Sequence, residues 1–166
     1  AFVENGLEFL QSSMGFSPTI FVMPTYPDPA FSANVFYEPD EGFFTGVGIY
    51  DGSLAQGIPT GSRGPGQLFR RSDVFVIGKV GWRWNAGVTL EDDSASLPGR
   101  FAAGAWFHNG QFDRFDGASQ SGTEGIYLLI DQTVYRESDD PEDGQGLGVF
   151  AQYGYADPDV SPFEHH

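Results

Sequence analysis

The sequence predicts an all-β chain, an antiparallel sheet of about six long strands forming part of the wall of a transmembrane β-barrel. Three observations predict it. Six segments alternate apolar with small or polar residues at a period of two. They are longer than the roughly 5–6 residues of ordinary strands and match the roughly 9–11 that a transmembrane strand needs. The acids avoid them: three turns (38–41, 91–93 and 137–143) hold 11 of the 23 acidic residues.

In chain order, Glu4–Met14 reads as a short helix, with Leu7, Leu10 and Met14 on one face and Gly15 as a stop. Pro18, Pro24, Pro27 and Pro29 then forbid a helix or a central strand. Pro18–Pro29 is expected to be an ordered loop that folds inward, because proline lowers the entropy lost on ordering. Residues 1–29 therefore form one unit and residues 30–166 the wall, with no separate second domain.

The first strand is Ala30–Tyr37, followed by the acidic turn Glu38–Gly42. The second is Phe43–Tyr50, with Val47 and Ile49 opposite Gly46, Gly48 and Tyr50. A glycine-rich loop, Asp51–Asp73, leads to the third strand, Val74–Trp84. There Val74, Val76, Val80, Trp82 and Trp84 oppose Lys79, Gly81 and Arg83. The fourth strand is Gly99–His108, with a long loop expected over Asn109–Glu124. The fifth is Gly125–Arg136. The acidic turn Glu137–Gly144 precedes the sixth, Gly146–Tyr155. Connections short or acidic at one end and long at the other are typical of outer-membrane barrels.

A soluble sheet would spread acids and lysines along its wet face. Here one face is aliphatic and aromatic, while the other carries glycine and the rare charges Lys79, Arg83, Arg100 and Asp131. Such a pair of faces suits a wall between hydrocarbon and a water-filled lumen. Aromatics near strand ends (Tyr37, Phe43, Phe44, Trp82, Trp84, Tyr135) suit an interfacial girdle.

Composition removes other classes. A formal net charge of −15 gives no basic face for nucleic acid. The absence of cysteine removes disulfides and thiolate chemistry. There is no G-x-S-x-G, P-loop or H-E-x-x-H motif, so no enzyme is expected. Asp139–Gly144 has a calcium-like composition without EF-hand spacing, so no metal or other cofactor is expected.

Several segments together resemble the carbohydrate-selective porins of the OprB family: Pro24–Phe31, Tyr37-Glu-Pro39, Gly48–Gly52, Leu97–His108, Ile130-Asp-Gln132, Tyr135-Arg-Glu137 and Phe150–Asp159. The resemblance implies a barrel of about sixteen strands in the outer membrane of Gram-negative-type cells. It implies passive passage of small sugars, contact with outer-membrane lipid and assembly as a homotrimer. Six strands do not close around such a lumen, so the chain reads as a central stretch of a larger barrel. His165-His166 falls where the next strand would begin, and is native or a tag remnant.

A pore selects a neutral sugar with aromatic plates and paired donors and acceptors that replace water. Lys79, Arg83, Arg100 and Asp131 are the candidate polar eyelet, with Trp106 as a stacking surface. The alternatives stay open: Lys79 and Asp131 as a wall salt bridge placed at one level, and Trp106 as packing. Arg83 and Arg100 are expected as cross-strand neighbours that need an acid partner, for which Glu91–Asp93 is near in sequence. Gly61–Gly66 and Arg70-Arg71 either fold inward or form a solvated outer loop. The competing readings are a soluble, secreted carbohydrate-binding β-sandwich and a small closed barrel with an anchoring role.

Overall fold

The computed structural model describes residues 17–24, 30–53, 73–85, 97–137 and 146–166. Six strands form one antiparallel sheet in chain order: β1 (Ser32–Tyr37), β2 (Phe43–Asp51), β3 (Val74–Trp84), β4 (Gly99–Asp113), β5 (Ser119–Arg136) and β6 (Gly146–Ala156). All described strands belong to this sheet, so among the described residues there is no second sheet for a sandwich. The expected helix Glu4–Met14, Tyr26, Gly61–Gly66, Arg70-Arg71 and Glu91–Asp93 lie outside the described residues.

The six strands stand close to their expected bounds, with one correction. The expected loop Asn109–Glu124 is mostly strand. β4 runs on to Asp113 and β5 starts at Ser119, joined by a tight turn. In that turn the Arg114 N–H donates to Ala118 O (2.8 Å), and Gly117 takes φ +85° while its N–H donates to Arg114 O (3.0 Å). Glycine is the residue that adopts this backbone without strain. The connection is therefore short, and the expected alternation of short and long connections fails at this point. Arg114 bridges to Asp159 (3.0 Å), tying the hairpin to the turn after β6.

The pairing register makes the two faces explicit. On the outer face, Val47 stands beside Gly78, flanked by Ile49 opposite Val76, then Val80 opposite Ala103 and Ile130 opposite Ala151. Val47, Ile49, Val80, Trp82, Phe107, Ile126, Ile130 and Val149 are all exposed there. So many exposed apolar side chains on one face need a nonaqueous partner. Trp82 and Phe43 meet edge-on at 6.5 Å at the lower rim, the end that carries the acidic turns. At the opposite, upper end the outer face turns polar: the longer β5 brings Glu124 into the sheet, opposite Phe107. Glu124 thus joins Asp131 as an acid inside β5, against the expectation that acids avoid the strands. The oily belt runs on β5 from Tyr135 to Ile126, a length suited to crossing hydrocarbon.

The inner face carries the buried core, with Phe75, Ile77, Trp106, Tyr127 and Leu129 on the wall. Ser17–Pro24 lies over it. Pro18–Ile20 forms a single 3₁₀ turn, and Ile20 and Val22 join the same apolar cluster. Proline at the first position of this turn suits its fixed φ and missing donor. On the far edge of β6, Glu164–His166 pairs with the strand through Ala156 N–H to Glu164 O and reciprocal bonds between Gly154 and His166, each 3.0 Å.

Candidate functional site

Inner-face aromatics on neighbouring strands lie flat because the residue opposite is glycine. Phe44 is opposite Gly81, Tyr127 opposite Gly104 and Trp106 opposite Gly125. A Cβ at Gly81 would stand 2.7 Å from Phe44 Cε2, one at Gly104 2.5 Å from Tyr127 Cε1, and one at Gly125 2.6 Å from Trp106 Cε2. The rings therefore cover the backbone rather than standing away from the wall, an arrangement known to pin strand register.

The charged residues form a row near the lower rim. Arg83 is opposite Arg100, Arg100 opposite Asp131, and Asp131 opposite Phe150. Arg83 and Arg100 are cross-strand neighbours, as expected. The acid that Arg83 needs is Glu38, from the turn after β1: Nη1 donates to Oε2 at 3.0 Å and Nη2 to Oε1 at 3.3 Å. The Arg83 hydrogen bond holds the Glu38 carboxyl below its ordinary value, against a smaller opposing effect of burial. The guanidinium also lies 4.3 Å from the Phe44 ring centre, with Lys79 Nζ at 5.5 Å from the same ring. Both are within cation–π range. Arg100 Nη2 stands 3.4 Å from Asp131 Oδ2.

One expectation needs correction. Lys79 and Asp131 do not share a level. Lys79 is opposite Gly104 and Gly104 opposite Tyr127, whereas Asp131 sits lower, beside Arg100. The tight turn at Gly117 fixes where β5 slides against β4, and a long loop would have left that register free.

Higher on the same face the side chains are shut in. Trp106, expected as a stacking surface with packing as the open alternative, is 3% exposed, so its ring packs and offers no face to a passing sugar. Phe21 meets it edge-on at 6.1 Å and Phe75 lies tilted at 6.0 Å. Its Nε1 is buried without a hydrogen-bond partner. Tyr127 donates to Gly78 O at 3.3 Å. His108 is fully buried: Gly110 N–H donates to its Nδ1 and its Nε2 donates to Gly52 O, both at 2.9 Å. That pair of bonds fixes the neutral tautomer and occupies both ring nitrogens.

Sequence reasoning made Arg83 and Arg100 neighbours, set Asp131 at the level of Lys79 instead of beside Arg100, and missed three residues of this face. Glu38 was hidden among turn acids. Phe44, expected in the interfacial girdle, is instead buried on the inner face beside Arg83 and Lys79, and Tyr127 was legible only as a member of an alternating strand; a glycine in the facing strand is the signal that would have found both. A separate apolar groove of about 400 Å³, bordered by Val76, Ala105, Phe107, Ile126 and Tyr155, opens mainly on the outer face and so lies across the wall from the charged row. Among the described residues no cluster of three or more His, Asp or Glu is placed to hold a metal ion.

Comparison with known proteins bears on what this wall belongs to. A solved structure, the high-pH form of Pseudomonas putida OprB, superposes with a TM-score of 0.60 at 18% identity, over 84% of this chain and 34% of that one. The fold is thus that of a β-barrel segment, and the chain spans about a third of the structure it resembles. No curated protein matches the sequence. The model of one family, the carbohydrate-selective porins, OprB family, matches residues 3–166, nearly every residue given. Porins of this kind are outer-membrane channels rather than enzymes, and by a match of that extent the chain belongs to the OprB family.

Proposed function

We propose that this chain supplies part of the wall and part of the constriction of a channel through which small carbohydrates diffuse passively across the outer membrane. The family match over residues 3–166 carries the reading. The two-faced sheet supports it, with an apolar side for lipid and a side bearing part-exposed ion pairs for water and sugar. In this reading Arg83, Arg100, Lys79 and Asp131 form the polar eyelet. Its guanidinium and carboxylate groups offer donors and acceptors to passing hydroxyls, held by partners close enough to prevent tight capture. Trp106 supports the constriction from behind, because Ser17–Pro24 covers its ring. Residues 1–29 belong with the lumen and residues 30–166 with the wall. The full protein works as a homotrimer, with its belt against lipid.

The test is sugar-dependent swelling of liposomes containing the full-length protein. Wild type is expected to admit small neutral sugars. Arg83→Ala with Arg100→Ala is expected to change the rate severalfold while the barrel still folds. A folded double variant with wild-type sugar flux removes both residues from the eyelet. No sugar permeation by the wild type removes the function.

A further inference from the structure

We infer that Gly154 is the seat that clamps Ser17–Pro24 against the wall and so sets how far this segment reaches into the channel. This makes it a positioning residue for the permeation pathway. The inference rests on the pore reading above.

Gly154 differs from the three inner-face glycines that face an aromatic residue in the register. Gly81, Gly104 and Gly125 each lie beneath an aromatic ring from a neighbouring strand. The atoms nearest a Cβ on Gly154 belong instead to Thr19 and Ser17: Thr19 Oγ1 in direct overlap, Ser17 Oγ at 2.6 Å and Thr19 Cβ at 3.2 Å. Ser17 is 2% exposed and Thr19 is fully buried. Their hydroxyls are bonded to each other at 2.7 Å. Two small hydroxyl residues and a missing side chain thus bring the segment's chain within touching distance of the wall.

The wall cannot yield at this point. Gly154 is opposite Tyr127 on one side, and on the other it exchanges two 3.0 Å hydrogen bonds with His166. A side chain there cannot move the strand without breaking both pairings, so the segment has to move. Ile20 and Val22 would leave the apolar cluster with it, and Phe21 would draw away from Trp106. Trp106 would then lose the close cover of Phe21. A longer side chain at 154 thereby pushes the segment into the lumen and narrows the channel at that level.

Two sets of variants of the full-length protein test this, with retention of the folded barrel read from heat-modifiable gel migration. In the first, Thr19→Cys with Gly154→Cys is treated with diamide, which takes up the two thiol hydrogens as the sulfurs join. The Cβ separation is within a few tenths of an ångström of the span a disulfide takes, about 3.5–4.5 Å. The expected result is a cross-link between the two positions, found by mass after proteolysis, with conductance close to that of wild type. Two thiols that both remain open to alkylation in the folded barrel overturn the seat, whatever the protein conducts.

In the second, Gly154→Val is expected to lower single-channel conductance at least twofold and to exclude the larger sugars that wild type admits. Adding Ser17→Gly and Thr19→Gly is expected to bring both back toward wild type. A folded Gly154→Val barrel with unchanged conductance and size limit overturns the inference. Should Gly154→Val fail to fold, the cross-link decides. A protein that forms the cross-link but passes no sugar keeps the seat and loses the pore reading.

Discussion

The lower and upper halves of the inner face are made from the same strands with the same alternation, yet they differ in almost every physical respect. Below, Arg83, Arg100 and Asp131 keep 32%, 41% and 45% of their side-chain surface and pair through long, flexible stems. Above, Phe75, Ile77, His108 and Tyr127 keep essentially none. The strands do not cause this difference. Ile20, Phe21 and Val22 of Ser17–Pro24 cover the wall around Trp106 and turn it into a small hydrophobic core, while Gly52 and Phe112 close around His108. Alternation therefore decides which face a residue takes, and a segment distant in sequence decides whether that face is wet. A residue such as Trp106 reads equally well as a sugar platform or as packing until that segment is placed.

If the upper half is a core, it should answer to truncation as cores do. Trp106→Ala removes a large ring wedged among Phe21, Phe75 and Gly125. It is expected to cost about 3–5 kcal/mol of barrel stability, measured by urea unfolding in detergent or lipid. A loss below about 1 kcal/mol would mean that the ring is replaceable and the upper half is not a core in this sense. Tyr127→Phe tests the same region more finely, because the ring that covers Gly104 stays and only the bond to Gly78 O goes. At 3.3 Å this bond is long, and its loss is expected to cost about 0.5–1.5 kcal/mol. A cost as large as that of Trp106→Ala would assign the region's stability to polar bonds rather than to ring packing.

The sequence made the sheet legible wherever hydrocarbon enforces a contrast between faces. Val74–Trp84 and Gly146–Tyr155 read correctly almost to the residue for that reason. The upper parts of β4 and β5 were not legible. Gln111, Asp113, Ser119 and Ser121 are strand residues above the oily belt. With water on both sides no pattern is imposed, and glycines at 110, 117 and 122 look like a loop. That error carried into the site. Without the short turn, the level of Asp131 on β5 was free, and Lys79 rather than Arg100 seemed its neighbour. The pairing of Arg83 with Arg100 survived because β3 and β4 were each bounded correctly at the lower rim. Glu38 was not legible as a partner because nothing in a run of turn acids shows which one faces inward.

Electrostatic changes in the lower half should be small in stability and visible in transport. Arg100 and Asp131 stand 3.4 Å apart with both side chains more than a third exposed, so solvent screens most of their attraction. A double-mutant cycle with Arg100→Ala and Asp131→Ala is expected to give a coupling below about 1 kcal/mol in stability. A coupling above about 2 kcal/mol would make the lower row a structural clamp like the upper half.

The smallest expected effect is the pH response of the Glu38–Arg83 pair. The Arg83 hydrogen bond places the carboxyl's folded value below its ordinary 4.5. A carboxyl lowered on folding contributes stability that is fully present above the unfolded value and is lost as pH falls through the folded one. The pair is therefore intact at neutral pH and throughout mild acid, and it opens only below about 4.5. Opening releases a guanidinium that is otherwise held by two bonds to Glu38 and by the Phe44 ring. The expected result is a conductance that stays level from neutral pH down to about 5 and shows a step below 4.5, with cation current falling relative to anion current as a negative charge is lost from the rim. Glu38→Gln is expected to remove the step and to carry the low-pH selectivity at neutral pH. A step that persists in Glu38→Gln belongs to another carboxylate. A step above pH 5 contradicts the sign of the shift and with it the inward, Arg83-bound position of Glu38.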